Sequence, residues 1–131
     1  MVGLSYSNPD VKKHVIKIDS TEFLVLACDG IWDCLKSQDV VSFICKNIAE
    51  HKDLKRACED LMEQCISKTG KGIGTDNMTV IIVGFLYNKT ETDWYKWMES
   101  RYGVIRPEYK DSLQLQTIVI KKLILMIMMK I

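Results

Sequence analysis

FLVLACDGIWD, residues 23–33, is the stretch from which the rest of the chain can be read. Phe23-Leu24-Val25-Leu26-Ala27 is continuous and apolar, and it stops abruptly at Cys28-Asp29-Gly30. An apolar run of this length suits a strand buried on both faces. A carboxylate then stands where the strand meets a loop, a costly place for a charge unless it is paired, capped or bound to a metal. The pattern recurs in reverse further on. Asp76-Asn77 opens onto Met-Thr-Val-Ile-Ile-Val-Gly-Phe-Leu, residues 78–86, nearly all apolar and β-prone.

If these two strands pair antiparallel, the end of one lies beside the start of the other, and Asp29 and Asp76 reach the same edge. Parallel pairing would separate them by a strand length, roughly 17–20 Å. Two close carboxylates repel each other, and a hard divalent cation relieves that repulsion. Mg²⁺ and Mn²⁺ favour such oxygen ligands. A plainer alternative is a turn at Asp29-Gly30, a helix cap at Asp33 and an Asx turn at Asp76-Asn77. The residues alone leave both open.

Two helices are predicted between the strands. Val40, Val41, Ile44, Cys45 and Ile48 recur at helical spacing, with Ser37 as N-cap and Asp39 in the first turn. Leu54, Ala57, Cys58, Leu61, Met62, Cys65 and Ile66 form a second stripe, capped by Asp53. Beyond the second strand, Thr90-Glu91-Thr92-Asp93 has the form of a capping box. It opens a helix whose aromatic stripe of Trp94, Tyr95, Trp97 and Tyr102, with Met98, is expected to pack on its own domain. Gly103 supplies the stop.

Composition sets the bounds. The 131 residues carry 18 Lys and Arg against 17 Asp and Glu, a formal net charge of +1. That balance gives no support to broad nucleic-acid or polybasic membrane binding. With 47% hydrophobic and 27% charged residues, the chain has the mix of a folded domain. The 5 cysteines, Cys28, Cys34, Cys45, Cys58 and Cys65, form no CxxC pair, and Met1 to Asp10 contains no apolar leader. Free thiols in a reducing cytoplasmic or nuclear compartment are therefore expected, none of them favoured as a metal ligand, and Cys45, Cys58 and Cys65 read as small apolar core residues.

Two other chemistries fail on spacing. Gly70, Gly72 and Gly74 precede a strand instead of opening a helix, and no Ser or Thr follows Lys71, so this is no P-loop. A nucleophilic aspartate with a general acid two residues on would need an acid where Ile31 stands.

Taken together, FLVLACDGIWD, SQDVV, ACEDL and GTDNMTVIIV resemble, in order and spacing, the C-terminal part of the metal-dependent type-2C protein serine/threonine phosphatases. NKTETDWYKWMESRYG and RPEY look most like the fungal members, and the likeness runs from about Asn8 to Tyr109. The resemblance implies an α+β fold: the C-terminal part of an α-β-β-α sandwich, antiparallel sheets flanked by helices, truncated here. It makes Asp29 and Asp76 ligands of a catalytic Mg²⁺ or Mn²⁺, with two ions in the complete domain. Asp33 becomes an acidic neighbour of the metals, and Asn77 the residue fixing the loop of Asp76. The implied reaction is hydrolysis of phosphoserine or phosphothreonine in a phosphoprotein by a metal-activated water, with no phosphoenzyme.

The 131 residues contain no Asp-Gly-His-Gly-Gly motif. The family's phosphate-clamp Arg and general-acid His have no counterparts, because His14, in an expected strand, and His51, at a helix end, lie outside that motif. The expectation is a C-terminal fragment that is inactive alone. The alternative is a non-catalytic pseudophosphatase or interaction fragment. Residues 1–109 are assigned to the phosphatase domain and 110–131 to an atypical tail. Its last stretch, Ile118 to Ile131, has the composition of AT-rich DNA read out of frame, and its apolar run is too short and too Lys-interrupted for a membrane span of about 20 residues.

Overall fold

The computed structural model describes residues 11–18, 20–69, 78–103 and 118–121. The elements run β1 (Phe23–Ala27), α1 (Asp29–Trp32), α2 (Ser37–His51), α3 (Leu54–Thr69), β2 (Val80–Gly84), α4 (Glu91–Tyr102) and β3 (Ile118–Lys121). They form a mixed α+β arrangement in which the sheet order is β2-β1-β3. β1 pairs antiparallel with β2, from Phe23 opposite Gly84 to Ala27 opposite Val80. β3 lies along the other edge of β1, parallel to it. The antiparallel pairing expected of the two apolar runs is therefore present.

The expectation that β1 is buried on both faces needs correcting. Phe23, Val25 and Ala27 are buried, whereas Leu24 and Leu26 between them are only half-buried. On β2, Ile81 and Val83 are exposed opposite Leu26 and Leu24. One face of the sheet carries the helices and the core, and the other, with Leu24 and Leu26 half-buried and Ile81 and Val83 exposed, is apolar and lacks a covering layer among the described residues. The hydrophobic side chains of a continuous run are thus shared between two faces, of which only one is covered among the described residues.

The helices cover the first face with most of the stripes their spacing predicts; of the second stripe, Ile66 is exposed, and Cys58 is half-buried outside the core. Val40, Val41, Ile44, Cys45 and Ile48 of α2 pack in one core with Ala57, Leu61 and Cys65 of α3 and Trp94, Tyr95, Met98 and Tyr102 of α4. The aromatic stripe of α4 packs on its own domain, as expected, with Trp94 approaching Gly84 so closely that a Cβ there would lie 3.0 Å from its ring. Asp53 caps α3 by accepting from the backbone amides of Lys55 and Arg56. Thr90 caps α4 by accepting from the Asp93 amide at 3.1 Å. The capping box closes differently from the usual form, since the Asp93 carboxylate takes the Thr90 hydroxyl.

Two local expectations, at Ser37 and His14, are corrected, and a third is met at Gly103. The N-cap of α2 is Lys36, with Ser37 already helical and no side chain capping. Gly103 stops α4 as expected, as its C-cap at φ −68. Its small size is what matters, because a Cβ would sit 2.6 Å from the Glu99 carbonyl oxygen. His14 lies in an irregular, exposed segment instead of a strand, with Val11, Val15, Ile16 and Ile18 beside it also exposed. The left-handed conformation appears at Lys52 after α2, and at Tyr87 and Asn88. The latter two form the tight turn closed by the Lys89 amide on the Leu86 carbonyl at 2.9 Å.

Candidate functional site

The site is built from the end of β1. The antiparallel ladder continues one pair beyond the strands, where the Cys28 amide donates to the Thr79 carbonyl at 3.2 Å. The Thr79 amide in turn donates to Cys28 Sγ at 3.2 Å. This double contact fixes the end of β1 against the beginning of β2. Asp29 follows at once as the first residue of α1. The chain turns sharply here because Ile31 is fully buried and pulls the turn onto the core. The Trp32 indole donates to the Ala27 carbonyl at 2.8 Å and ties the turn back to its own strand.

Asp29 and Asp33 are both exposed, and among the described residues no hydrogen bond or ion pair engages either carboxylate. Their backbones are linked, with the Asp33 amide donating to the Asp29 carbonyl at 2.8 Å. Asp33 is the C-cap residue of α1 and does not cap α2, whose N-cap is Lys36. The plain alternative of Asp33 as a helix cap is met at the C-terminus of α1, through its backbone amide and not its carboxylate. Asp29-Gly30 is the first half of a helical turn, with no capping side chain at its start. Both carboxylates stand in solvent at one sheet end with their oxygens available. That is a hard-oxygen donor set of the kind Mg²⁺ and Mn²⁺ take.

Asp76 and Asn77 lie outside the described residues, as does the division between residues 109 and 110. Asp76 stands four positions ahead of Val80 in the sequence, and Val80 pairs with Ala27. Among the described residues no three His, Cys, Asp or Glu side chains converge on one point. Asp29 and Asp33 fit a divalent cation in donor type, and a complete cage would need ligands beyond them.

The cysteines take other roles. Burial, reinforced by the Glu22 carboxylate, pushes the Cys45 thiol up to about 12. Burial likewise pushes Cys58 up to about 11. Both stay protonated near neutrality; Cys45 sits in the core as expected, whereas Cys58 is half-buried outside it.

Sequence reasoning missed one polar site. Glu22 is 1% exposed. Its Oε1 accepts from Arg101 Nη2 at 2.9 Å and from the Tyr102 hydroxyl at 2.8 Å. Oε2 is buried without a partner among the described residues. Desolvation first, then the neighbouring Cys45 and Glu22, raises the Tyr102 hydroxyl above its ordinary value. The only signal in the sequence was an acidic residue directly abutting an apolar strand, the same signal that marked Asp29.

Comparison with known proteins follows the same stretch. A family model described as Protein phosphatase 2C matches residues 3–72. The chain is 49% identical over 96 residues to Protein phosphatase 2C homolog 2 of Hypocrea jecorina, covering 71% of this chain and 22% of that protein. To the Aspergillus fumigatus homolog 2 it is 50% identical over 112 residues, 79% of this chain and 26% of that one. The Schizosaccharomyces pombe homolog 2 shares 50% over 95 residues, 71% and 25% respectively. The chain thus spans about a quarter of the length of these curated relatives. No solved structure matches it.

Proposed function

The chain belongs to the protein phosphatase 2C family, and on that premise we propose that it is the C-terminal part of a metal-dependent protein serine/threonine phosphatase. The observation that carries this reading is the antiparallel pairing of β1 and β2, with Asp29, exposed and unpartnered among the described residues, at the end of β1 beside the start of β2. Asp29 and Asp76 would hold Mg²⁺ or Mn²⁺, Asp33 would stand by them, and Asn77 would fix the Asp76 loop. When bound, the cation would lower the pKa of a water and screen charge on the phosphoryl oxygens. The chain's own contribution is rigidity. The Cys28–Thr79 contacts and the Trp32–Ala27 bond hold the Asp29 backbone in place before any ligand arrives.

The finer fold in this proposal is the α-β-β-α sandwich, of which the described residues form a helix-covered sheet. The apolar face of half-buried Leu24 and Leu26 with exposed Ile81 and Val83 supports a second sheet layer in the complete domain. Phosphoserine and phosphothreonine proteins are the proposed substrates. All five cysteines are free of disulfides, which supports a cytoplasmic or nuclear location. Among the described residues no helix is long and apolar enough to cross a membrane.

The test is a chimera. Residues 8–109 replace the matched segment of the full-length Aspergillus fumigatus relative, and Mn²⁺-dependent release of phosphate from a phosphothreonine peptide is measured. Activity that disappears with Asp29→Asn is expected, while chain 1–131 alone is expected to show none. A stable, folded chimera without turnover supports the non-catalytic alternative.

A further inference from the structure

β1 is the middle strand of its sheet, and the direction of its backbone groups can be read from the bonds at its two ends. The Phe85 amide donates to the Glu22 carbonyl, and the Cys28 amide donates to the Thr79 carbonyl. Residues 22 and 28 therefore point their hydrogen-bonding groups at β2, and by strand alternation so do Leu24 and Leu26. The backbone groups of Phe23, Val25 and Ala27 point the other way, toward the edge where β3 lies. In the parallel register, Val25 stands opposite Val119 and Ala27 opposite Lys121. With the β1 groups at Val25 and Ala27 directed outward, the ladder runs through the backbones of Ile118 and Ile120. The Ile120 amide serves the Val25 carbonyl, and the Val119 amide points away from the sheet.

Without β3, this edge would present unpaired donors and acceptors beside a bare apolar face. That combination is a template for strand addition from another chain. The Ile-Val-Ile-Lys segment has the β-branched composition that suits the task. From Gly103 to Ile118 there are 14 intervening residues, which at about 3.3–3.6 Å each can span on the order of 45–50 Å, ample for the return to β1. We propose that residues 118–121 act as an edge strap in cis: the tail occupies the outer edge of β1 in its own chain and keeps that edge from pairing with a second copy. This inference does not depend on the phosphatase reading, and it gives the atypical tail a physical role whatever its origin.

Amide hydrogen exchange on the full chain tests it. In the wild type, the Val25 and Ala27 amides are expected to be protected like those of Leu24 and Leu26, to a degree independent of protein concentration. Ile120→Pro removes the amide that serves β1 and should lower Val25 and Ala27 protection at least tenfold while leaving Leu24 and Leu26 unchanged. Val119→Pro removes an amide that points outward and should leave both pairs protected. Ile120→Pro should also self-associate, by sedimentation, at a concentration where the other two proteins are monomeric.

Unprotected Val25 and Ala27 in the wild type, or no change in Ile120→Pro, would overturn the pairing. A monomeric Ile120→Pro with those amides open would overturn the blocking role. If Ile120→Pro unfolds outright, the wild type decides through interstrand proton contacts between 24–27 and 118–121 in a sample mixing isotope-labelled and unlabelled chains. Contacts within one label support the strap, and contacts across labels assign the edge to a second copy and defeat it.

Discussion

β1 is flanked by two acidic side chains that meet opposite fates. Glu22, just before the strand, is buried and held by Arg101 and Tyr102. Asp29, just after it, is exposed, and among the described residues its carboxylate has no partner. A carboxylate removed from water has to be bonded by the protein, because the desolvation cost is otherwise prohibitive. One left in water keeps its oxygens for something outside the fold. The Glu22 end therefore contributes to stability, and the Asp29 end is where the proposed function is placed. If that division is right, substitutions at the first end unfold the protein, and those at the second leave it folded but alter what it binds.

The largest expected effect comes from cutting the buried pair on its exposed side. The Arg101 side chain is 37% exposed, and that of Glu22 is 2%. Arg101→Ala leaves a buried carboxylate with Tyr102 as its remaining partner among the described residues, and should cost about 3 kcal/mol by urea unfolding, the lower end for a broken buried pair. Adding Glu22→Gln should recover part of that loss, since the stranded charge is then gone. A loss below about 1 kcal/mol in Arg101→Ala would show that the Glu22–Arg101 pair does not anchor this end of the strand.

Packing at the same end gives the next effect. Gly84 stands opposite Phe23 in the ladder, and a Cβ on it would meet three Trp94 ring atoms at 3.0 to 3.3 Å. The ring cannot retreat easily, because Trp94 is buried in the core. Gly84→Ala should destabilise by about 1–3 kcal/mol. Val83→Ala, one residue away on the bare face, should cost less than Gly84→Ala in the same measurement.

Alkaline pH probes the Glu22 end through its neighbour. Burial and then Glu22 raise Cys45 from 9.0 to about 12, while Tyr102 and Arg101 act in the opposite direction. Between those values the unfolded chain has lost the thiol proton and the folded chain still holds it. The contribution is therefore fully present below pH 9 and falls as pH rises toward 12, by about 1.4 kcal/mol per pH unit for one proton. Cys58 and Tyr102 are raised as well and add to the same decline. Cys45→Ala should be less stable than wild type at pH 8, and the gap should narrow by pH 11. A gap of constant size would mean that the thiol titrates normally and is not held in this buried cluster.

How much of this was legible in the sequence follows the same division. The strand pair, the three long helices and the caps at Asp53 and Thr90 were readable because each is encoded locally, by apolar spacing or by a polar residue next to it. The bare face was not, since an unbroken apolar run looks the same whether one side of it is covered or both. Glu22 escaped because its partner Tyr102 lies 80 positions away, and Ser-Thr-Glu reads as a surface turn until the fold closes over it. Asp29 was found by its position after an apolar run. The same rule, applied to the residue before the run, would have found Glu22.

The smallest expected effect on stability is at Asp29, and it carries the most information. With an exposed carboxylate and no partner among the described residues, Asp29→Asn should shift stability by no more than about 0.5 kcal/mol. Asp33→Asn should do the same. Mn²⁺ binding separates the two outcomes. Titrated into wild-type chain 1–131, Mn²⁺ is expected to broaden the amide signals of Asp29 and Gly30 first, with weak affinity, because one or two carboxylates leave such an ion most of its waters. Asp29→Asn should abolish that local broadening while amides around Glu22, at the far end of β1, stay unaffected in both proteins. Broadening centred on Asp53, Glu59 or another surface carboxylate, unchanged by Asp29→Asn, would remove Asp29 from the metal edge. A loss of stability in Asp29→Asn comparable to that of Arg101→Ala would erase the distinction between the two ends of the strand.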